Sequence, residues 1–452
     1  MKKYVIINEE GEEINLESLL LRTDAHVWKK ILKLECSDNS PTLNLMNVMR
    51  KLEWADFERS SDKGHFRLYP NGSLVFSLIS DWMEGISISE FEAMPVTTPL
   101  IYNWKNTDVL EQAKMFEKSI YHLHFPTRPD DDFVLRFNGD VGVFKLLSTV
   151  DLNQNQLPIR IYEMARSFRY IQNGKLSGLS HGRTFLLLDM HSFCSSLGTG
   201  FKEYLALHEK SCLAMTEANQ DPYTLVKIPL EFYQDAKETI CKMARINNKP
   251  IVIEIVPAQK QYWIMKHIIH NEDGEKIAHI QLDLENSERY KIAYKDKDGL
   301  EKYGPIIHTS LGSVERWMTI FLNDAMNQKV PMLPIWLSPI QVRILPVRNA
   351  NLEHCVELAK ELRNNLIRVD VDDRDISLNK KIKDAELFWV PFIVVCGDKE
   401  CENDTLSVRI RSVGNSIISS SSIIDNIKKQ CLGKPFRHQP NLMVSKRLHF
   451  CK

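Results

Sequence analysis

At 452 residues and a formal net charge of −1, the chain is long enough for roughly two to four domains of about 100–200 residues each. Its 43 % apolar and 26 % charged content is that of an ordinary globular protein, and it holds no run of about 18 apolar residues that would cross a membrane. The opening MKKYVIINEEG turns acidic too soon for a signal peptide. The nine cysteines are scattered and form no CxxC pair, which excludes a disulfide scaffold or a four-cysteine zinc module and fits a reducing cytoplasm.

Residues 1–60 read as a small N-terminal extension, the strand YVIIN followed by helices. After the turn-rich SDKGHFRLYPNG (61–72), the stretch SLVFSLISDWMEGISIS is apolar at helical spacing. From Pro95 to His308 the texture changes to strands. LPIRIYEMARSFRYI (157–171) and RTFLLLDMHSF (183–193) flank a loop with glycines at 174, 178 and 182. IVIEIV (251–256), QYWIMKHIIH (261–270), AHIQLDL (278–284) and RYKIAY (289–294) follow, with turn signals NEDGE and KDKDG between them. Turns this short favour antiparallel neighbours, since parallel crossovers need about a dozen residues.

SVERWMTIFLNDAMNQ (313–328) places Val314, Trp317, Met318, Phe321, Leu322 and Ala325 on one helical face. KVPMLPIWLSP reads as a linker, with prolines at 331, 334 and 339. Beyond it, strand and helix alternate through QVRILPV, NLEHCVELAKELRNN, LIRVDV, SLNKKIKDAELFW and PFIVVCG, the pattern of a mostly parallel α/β unit. The serine run 419–422 opens a further helix. Two principal domains are therefore expected, an α+β core with an antiparallel sheet at 61–330 and an α/β domain at 333–452.

Charge is unevenly spread. Residues 331–452 carry a net +5 against −6 for the rest, and from Lys428 onward there are seven basic residues and no acidic one. Such a tail on an acidic body is either an electrostatic footprint for a polyanion or a solvated surface.

Side chains two apart on a strand share a face. Arg183, Asp189 and His191 lie together on one strand, Glu163 and Arg169 on another, and His279, Gln281 and Asp283 on a third. A sheet face with charges on three strands is either solvated or lines a site. Arg316 stands in the first turn of its helix, where the macrodipole disfavours a cation. It either meets an anion or is tolerated by water.

At these residues the sequence resembles a class II aminoacyl-tRNA synthetase, specifically the archaeal threonyl-tRNA synthetases. The resemblance runs from SDKGHFR to the end through an ordered series: LPIRIYE, SFRY, GKLSGL, DMHSFC, IQLDLENSERY, HTSLGSVERW, LPIWLSPIQVRILPV, RVDVDDR, LNKKIKDAELFWVPFIVVCGDKE, TLSVRIR and VSKRLHF. It implies a class II catalytic core followed by an anticodon-binding domain, and a threonine–tRNA ligase that uses ATP with Mg²⁺. Pro99 resembles the motif 1 proline, implying a homodimer. Arg169 resembles the motif 2 arginine on the ATP α-phosphate, and Arg316 the motif 3 arginine on the distal phosphates. Arg183 and Gln281 are carried over as ATP contacts. Asp189, Gln281 and Ser313 are carried over as threonine contacts.

His191 and His308 match the two histidine ligands of the family's zinc ion, which chelates the amino and hydroxyl groups of threonine. The tRNA for threonine is the implied macromolecular partner, with Lys380, Lys381 and Lys383 as phosphate contacts. The sequence also departs from this family. Asp140 stands where the third zinc ligand is a cysteine, and aspartate can also ligate zinc. Ile171 replaces a glutamate that accepts from the adenine amino group, and His181 stands where many relatives have arginine. About 60 residues precede the resemblance with no likeness to an editing domain, so a separate trans-editing protein is expected. The alternative these departures favour is a catalytically impaired paralogue acting as a tRNA-binding or accessory subunit.

Overall fold

The computed structural model describes residues 3–34, 41–128, 130–257, 262–402 and 405–450. Cys36, Cys451 and the first residue of QYWIMKHIIH, Gln261, lie outside them. Chain contacts divide the protein into two compact units with interleaved segments. One comprises residues 1–39, 83–171 and 183–313, the other residues 40–82, 172–182 and 314–452.

A 10-stranded sheet forms the first unit. Its order is Glu13–Ile14, Lys3–Ile7, Ile251–Val256, Tyr223–Pro229, Trp263–His270, Lys276–Asp283, Ile306–Ser310, Thr184–Phe193, Ile159–Phe168, Met94–Pro95. The strands expected within 157–171, 183–193, 251–256, 261–270 and 278–284 are present, and the run from Tyr223 to Phe168 pairs antiparallel throughout. RYKIAY (289–294) is not a strand, since Asn286–Arg289 is helical and only Tyr294–Lys295 is extended, in a separate three-stranded sheet. Tyr223–Pro229 and Ile251–Val256 pair in parallel. The helix Leu230–Asn247 between them supplies the crossover that a parallel pair needs.

The start of the N-terminal extension belongs to the first unit. Lys3–Ile7 pairs with Ile251–Val256 and extends the sheet, while Trp28 and Ile31 pack with Tyr223 and Val252 under it.

Two helices that strand texture concealed cover this sheet. Leu197–Glu217 starts at Ser196, whose side chain accepts from the Thr199 backbone N–H, and it buries Tyr204, Leu207 and Met215. Leu230–Asn247 buries Tyr233, Ile240 and Met243. Among the described residues, no helix is long and apolar enough to cross a membrane.

The second unit carries a 5-stranded sheet ordered Val369–Val371, Val342–Pro346, Phe392–Cys396, Leu406–Ile410, Gly414–Ile418. Its first three strands are parallel, joined through the helices Leu352–Asn364 and Leu378–Leu387. The last two strands turn back antiparallel. The sheet is thus mixed, because the three-residue turn 411–413 is too short for a crossover. Ser419 caps the helix Ser420–Gln430 by accepting from the Ser422 N–H, as the serine run implied. In Val314–Asn327 all six residues of the expected apolar face are buried. Trp317 and Phe321 pack there against Trp82 and Trp336.

Candidate active site

Strand register places the site residues in a row. Lys266 lies opposite Gln281, Gln281 opposite His308, and His308 opposite His191. Residues opposed in this way share a sheet face, so four strands deliver one cation, one amide and two imidazoles to one floor. Asp140 reaches that floor from a different element. It opens the helix Asp140–Leu147, where the positive end of the helix dipole favours a carboxylate.

The two oxygens of Asp140 have different partners. Oδ2 accepts from Gln112 Nε2 at 2.9 Å and from Asn138 Nδ2 at 3.1 Å. Oδ1 lies 3.2 Å from His191 Nε2 and 3.9 Å from His308 Nδ1. The opposite nitrogen of His308, Nε2, donates to Asp283 Oδ2 at 2.9 Å, which leaves Nδ1 facing Asp140.

The electrostatics follow from this crowding. Burial disfavours charge on Asp140, yet the His191 hydrogen bond, with His308 and Arg169 nearby, holds its carboxyl below the ordinary range. Asp189 goes the other way: burial raises it, and the charges of Asp140 and Glu163 add to that. For His308, burial works against protonation, but the Asp283 hydrogen bond and the Asp140 charge more than offset it and raise its pKa.

The donor set suits a divalent cation. Asp140, His191 and His308 each offer a ligand atom, and all three atoms lie within 4.8 Å of one another. A carboxylate behind one ligating imidazole is the usual outer support of such a centre.

Gly139 lets the helix come this close. A Cβ at this position would meet Asp189 Oδ2 at 2.5 Å and the Ala165 methyl at 3.4 Å. Gly139→Ala is therefore expected to displace Asp189 from the floor. It should lower the catalytic efficiency of the site about tenfold or more, while the melting temperature falls by only a few degrees. Steady-state kinetics beside a thermal scan would check both.

Arg169 follows the strand Ile159–Phe168. Its Nε donates to the Phe137 carbonyl at 2.8 Å, and its guanidinium lies close to the rings of Phe116 and Phe185, 4.7 and 5.2 Å from their centroids. Burial lowers its pKa, while Asp140 and Asp189 draw it back up.

Arg183, expected as a nucleotide contact, is turned toward the chain at Ile171. It is 1 % exposed, gives Nε and Nη2 to the Ile171 carbonyl at 3.0 and 2.7 Å, and stacks on Tyr170 at 4.0 Å. Its place is that of a brace for the turn at Ile171. Asp189 stands 4.0 Å from His191 Nε2. Ser313 is buried and bridges the backbone of Leu187. Arg316 stands in the first turn of Val314–Asn327, in the second unit.

Tyr262, Lys266 and Gln112 went unnoticed in the sequence. Tyr262 donates to Gln281 Oε1 at 3.1 Å and sets its ring 5.4 Å from that of His308. It falls in QYWIMKHIIH, expected as a strand, but it precedes the observed strand Trp263–His270, and the register shift between Trp263 and Met265 obscures which face it shares. Gln112 comes from the helix Thr107–Ala113, which no strand pattern connects to the floor.

Within the second unit, a cavity of about 990 Å³ is lined by Arg50, Lys51, Arg374, Arg411, Phe388 and Trp389 among others. Trp389 is held at φ 57°, a left-handed conformation that a bulky side chain adopts only where its surroundings impose it. The lysine reading needs correction here. Lys381 is buried with Nζ on the Pro346 carbonyl at 3.4 Å, and Lys380 pairs with Asp384 at 2.8 Å. Of the three lysines only Lys383 is exposed without a described partner in that helix. Parts of the basic tail are also engaged: Arg437 forks onto Asp81 at 2.6 and 2.8 Å.

Comparison with known proteins fits this geometry. Residues 121–325 match the tRNA synthetase class II core domain (G, H, P, S and T), and residues 341–430 match the anticodon binding domain. The threonine–tRNA ligase of Pyrococcus horikoshii is 33 % identical over 466 residues, covering 99 % of this chain and 74 % of that protein. The chain belongs to the threonine–tRNA ligase family. The ligase of Methanosarcina barkeri is 34 % identical over 415 residues, spanning 87 % of this chain and 64 % of the relative. The chain therefore spans just under two thirds of the length of such relatives. The fold matches a crystal structure described as the RNA binding domain of threonyl-tRNA synthetase from Cryptosporidium parvum. That match has a TM-score of 0.76 at 19 % identity and covers 86 % of this chain and 98 % of that one. A prolyl-tRNA synthetase from the same organism gives 0.67 at 15 %.

Proposed function

We propose that the chain activates L-threonine with ATP to threonyl-adenylate and transfers the acyl group to the threonine tRNA. The observation that carries this reading is the convergence of Asp140, His191 and His308 on one sheet floor near the charge of Arg169. A divalent ion held by those three, with zinc the family's choice, supplies Lewis acidity and open positions suited to a 1,2-amino alcohol. Asp189 is placed to orient the amino group. Tyr262 and Gln281 hold each other beside His308 and wall the pocket.

Arg169, close to two rings, presents a pre-oriented cation to the α-phosphate, where charge shifts as the threonine carboxylate attacks and pyrophosphate leaves with Mg²⁺. No side-chain nucleophile is needed.

A site built around a hydroxyl rejects an isostere lacking it by roughly 10⁴–10⁵-fold, whereas one methyl group is worth only about 1–3 kcal/mol. Threonine-dependent ATP–pyrophosphate exchange should accordingly proceed with threonine, leak with serine and fail with valine. Exchange with none of the three would remove the ligase reading. The impaired-paralogue reading rests on Ile171, whose side chain cannot accept from adenine. It predicts tRNA binding with no exchange at all.

The second unit is the proposed tRNA-reading part. Its cavity of arginines and rings suits unstacked bases, which stack on aromatic and guanidinium planes. A homodimer is supported by the exposed apolar Met94, Leu100 and Ile101 around Pro99.

Lys266 gives the activity a pH signature. Burial, with Lys227, Lys276 and Arg169 nearby, pushes its pKa down to about 8. Its charge is present below that value and lost above it. Because kcat/KM reports the free enzyme's groups, kcat/KM for ATP should fall as pH rises through about 8. Lys266→Arg keeps the charge and should flatten the alkaline limb; an unchanged profile in that variant would remove Lys266 from the nucleotide site.

A further inference from the structure

A second set of ligand-type side chains lies in the second unit, apart from the carboxylate–histidine floor. His354 and Cys355 occupy the first turn of the helix Leu352–Asn364. Cys396 ends the strand Phe392–Cys396, and Cys401 sits in the short helix Asp398–Glu402. One ligand atom from each of His354, Cys396 and Cys401 falls within 4.8 Å of the other two. Cys396 Sγ and Cys401 Sγ are 3.8 Å apart, and Cys355 is fully buried in the same core cluster as Cys396.

Two features make this cluster a candidate metal site. The first is topological. From Val342–Pro346 the chain crosses to Val369–Val371 on one side, and then returns past it to Phe392–Cys396 on the other. The strand order therefore reverses between Val342–Pro346 and Phe392–Cys396, and the cluster lies beyond the carboxyl ends of that pair. In open α/β sheets this crevice is where ligands bind.

The second feature is metrical. Two thiolates bound at about 2.3 Å to one tetrahedral zinc are roughly 3.8 Å apart, which is the observed sulfur separation. Asn351 Nδ2 already donates to Cys401 Sγ at 3.5 Å and to Asp398 Oδ1 at 2.9 Å. That hydrogen bond fixes the Cys401 sulfur from outside, as the outer partners of metal ligands do.

We propose that His354, Cys396 and Cys401 form a site for a soft or borderline divalent cation of the zinc class, separate from the Asp140–His191–His308 floor, with Cys355 or water completing the shell. Coordination releases the thiol protons to solvent, so binding weakens as pH falls. The bound ion ties the helix after the first parallel strand to the end of the third. It would thus brace the crevice side of the proposed tRNA-reading unit.

Cobalt(II) titration of the full chain, reduced with a phosphine and stripped with a chelator, tests this directly. The floor contains no sulfur, so a near-ultraviolet thiolate-to-cobalt charge-transfer band reports the second site alone. Up to two equivalents of Co²⁺, one for each site, should raise the band in the parent chain, and one equivalent should suffice in His308→Ala. Cys401→Ser, a partly exposed position that should fold normally, should at least halve the band and shift its titration to higher metal, and His354→Ala should shift the titration without loss of the band. Absence of the band in the folded parent chain, or an unchanged band and titration in Cys401→Ser, overturns the proposal. Competition with zinc should bleach the band; failure to do so would place the site outside the zinc class.

Discussion

Arg169→Ala should reduce threonine-dependent ATP–pyrophosphate exchange by about 10²–10³-fold, the loss that follows removal of one preorganised donor from a developing negative charge. The guanidinium lies close to the rings of Phe116 and Phe185, with Nε spent on the Phe137 carbonyl. Its remaining edge is thereby oriented before a substrate arrives. Arg169→Lys keeps the charge but cannot stack or fork in the same way, and it should recover only a small part of the rate. His308→Ala should lose exchange to a similar degree and lower the bound-metal content as well. Metal analysis beside the exchange assay separates the two roles: Arg169→Ala should keep its metal and His308→Ala should not. Equal metal loss in both variants would show that Arg169 acts by supporting the floor.

Glu163→Ala should be the most destabilising single change in the first unit, by about 3–5 kcal/mol, the usual result of leaving a buried charge without its partner. Arg136 and Glu163 are almost inaccessible, at 2 % and 3 % side-chain exposure, and meet at 2.7 Å. Glu163 also accepts from the Thr98 backbone N–H at 2.9 Å and from the Thr98 hydroxyl at 2.8 Å. Arg136 gives Nε to the Arg166 carbonyl at 2.7 Å. Removing the carboxylate strands a guanidinium and frees the segment that carries Pro99. Calorimetry should show the melting transition lowered by roughly 10 °C, at about 2–4 °C per kcal/mol for a body of this size. Glu163→Gln, which keeps an acceptor, should lose less. A loss below 1 kcal/mol in the alanine variant would mean that water reaches the pair.

Much of the fold was legible because hydrophobic period and turn residues act locally. The strands around 157–171, 183–193, 251–256 and 278–284 carry clear alternation or apolar runs, and the helix from Val314 shows its buried face residue by residue. The floor was legible in part. Asp189, His191 and Gln281 alternate on strands, and His308 follows an apolar pair. Asp140 was found through resemblance to a family in which another residue stands there. The structure then shows what only three dimensions supply. Gln112 arrives from a distant helix, Asp283 turns out to be the partner of His308, and Arg183 closes on the Ile171 carbonyl. Those contacts join elements far apart in sequence, and no local period encodes them. The helices Leu197–Glu217 and Leu230–Asn247 escaped notice because strong strands surround them. The mixed C-terminal sheet follows from turn length, which the strand–helix alternation upstream had masked.

The pairing of Lys3–Ile7 with Ile251–Val256 also bears on how the chain is made. A ribosome adds about 5–20 residues per second, so this first strand waits on the order of tens of seconds before its long-range neighbour exists. Until then only Ile6 and Ile7 have a partner, in the short strand Glu13–Ile14, and the other edge of the strand is open to the wrong partner. Its short length and the charged stretch that follows it limit that hazard during synthesis.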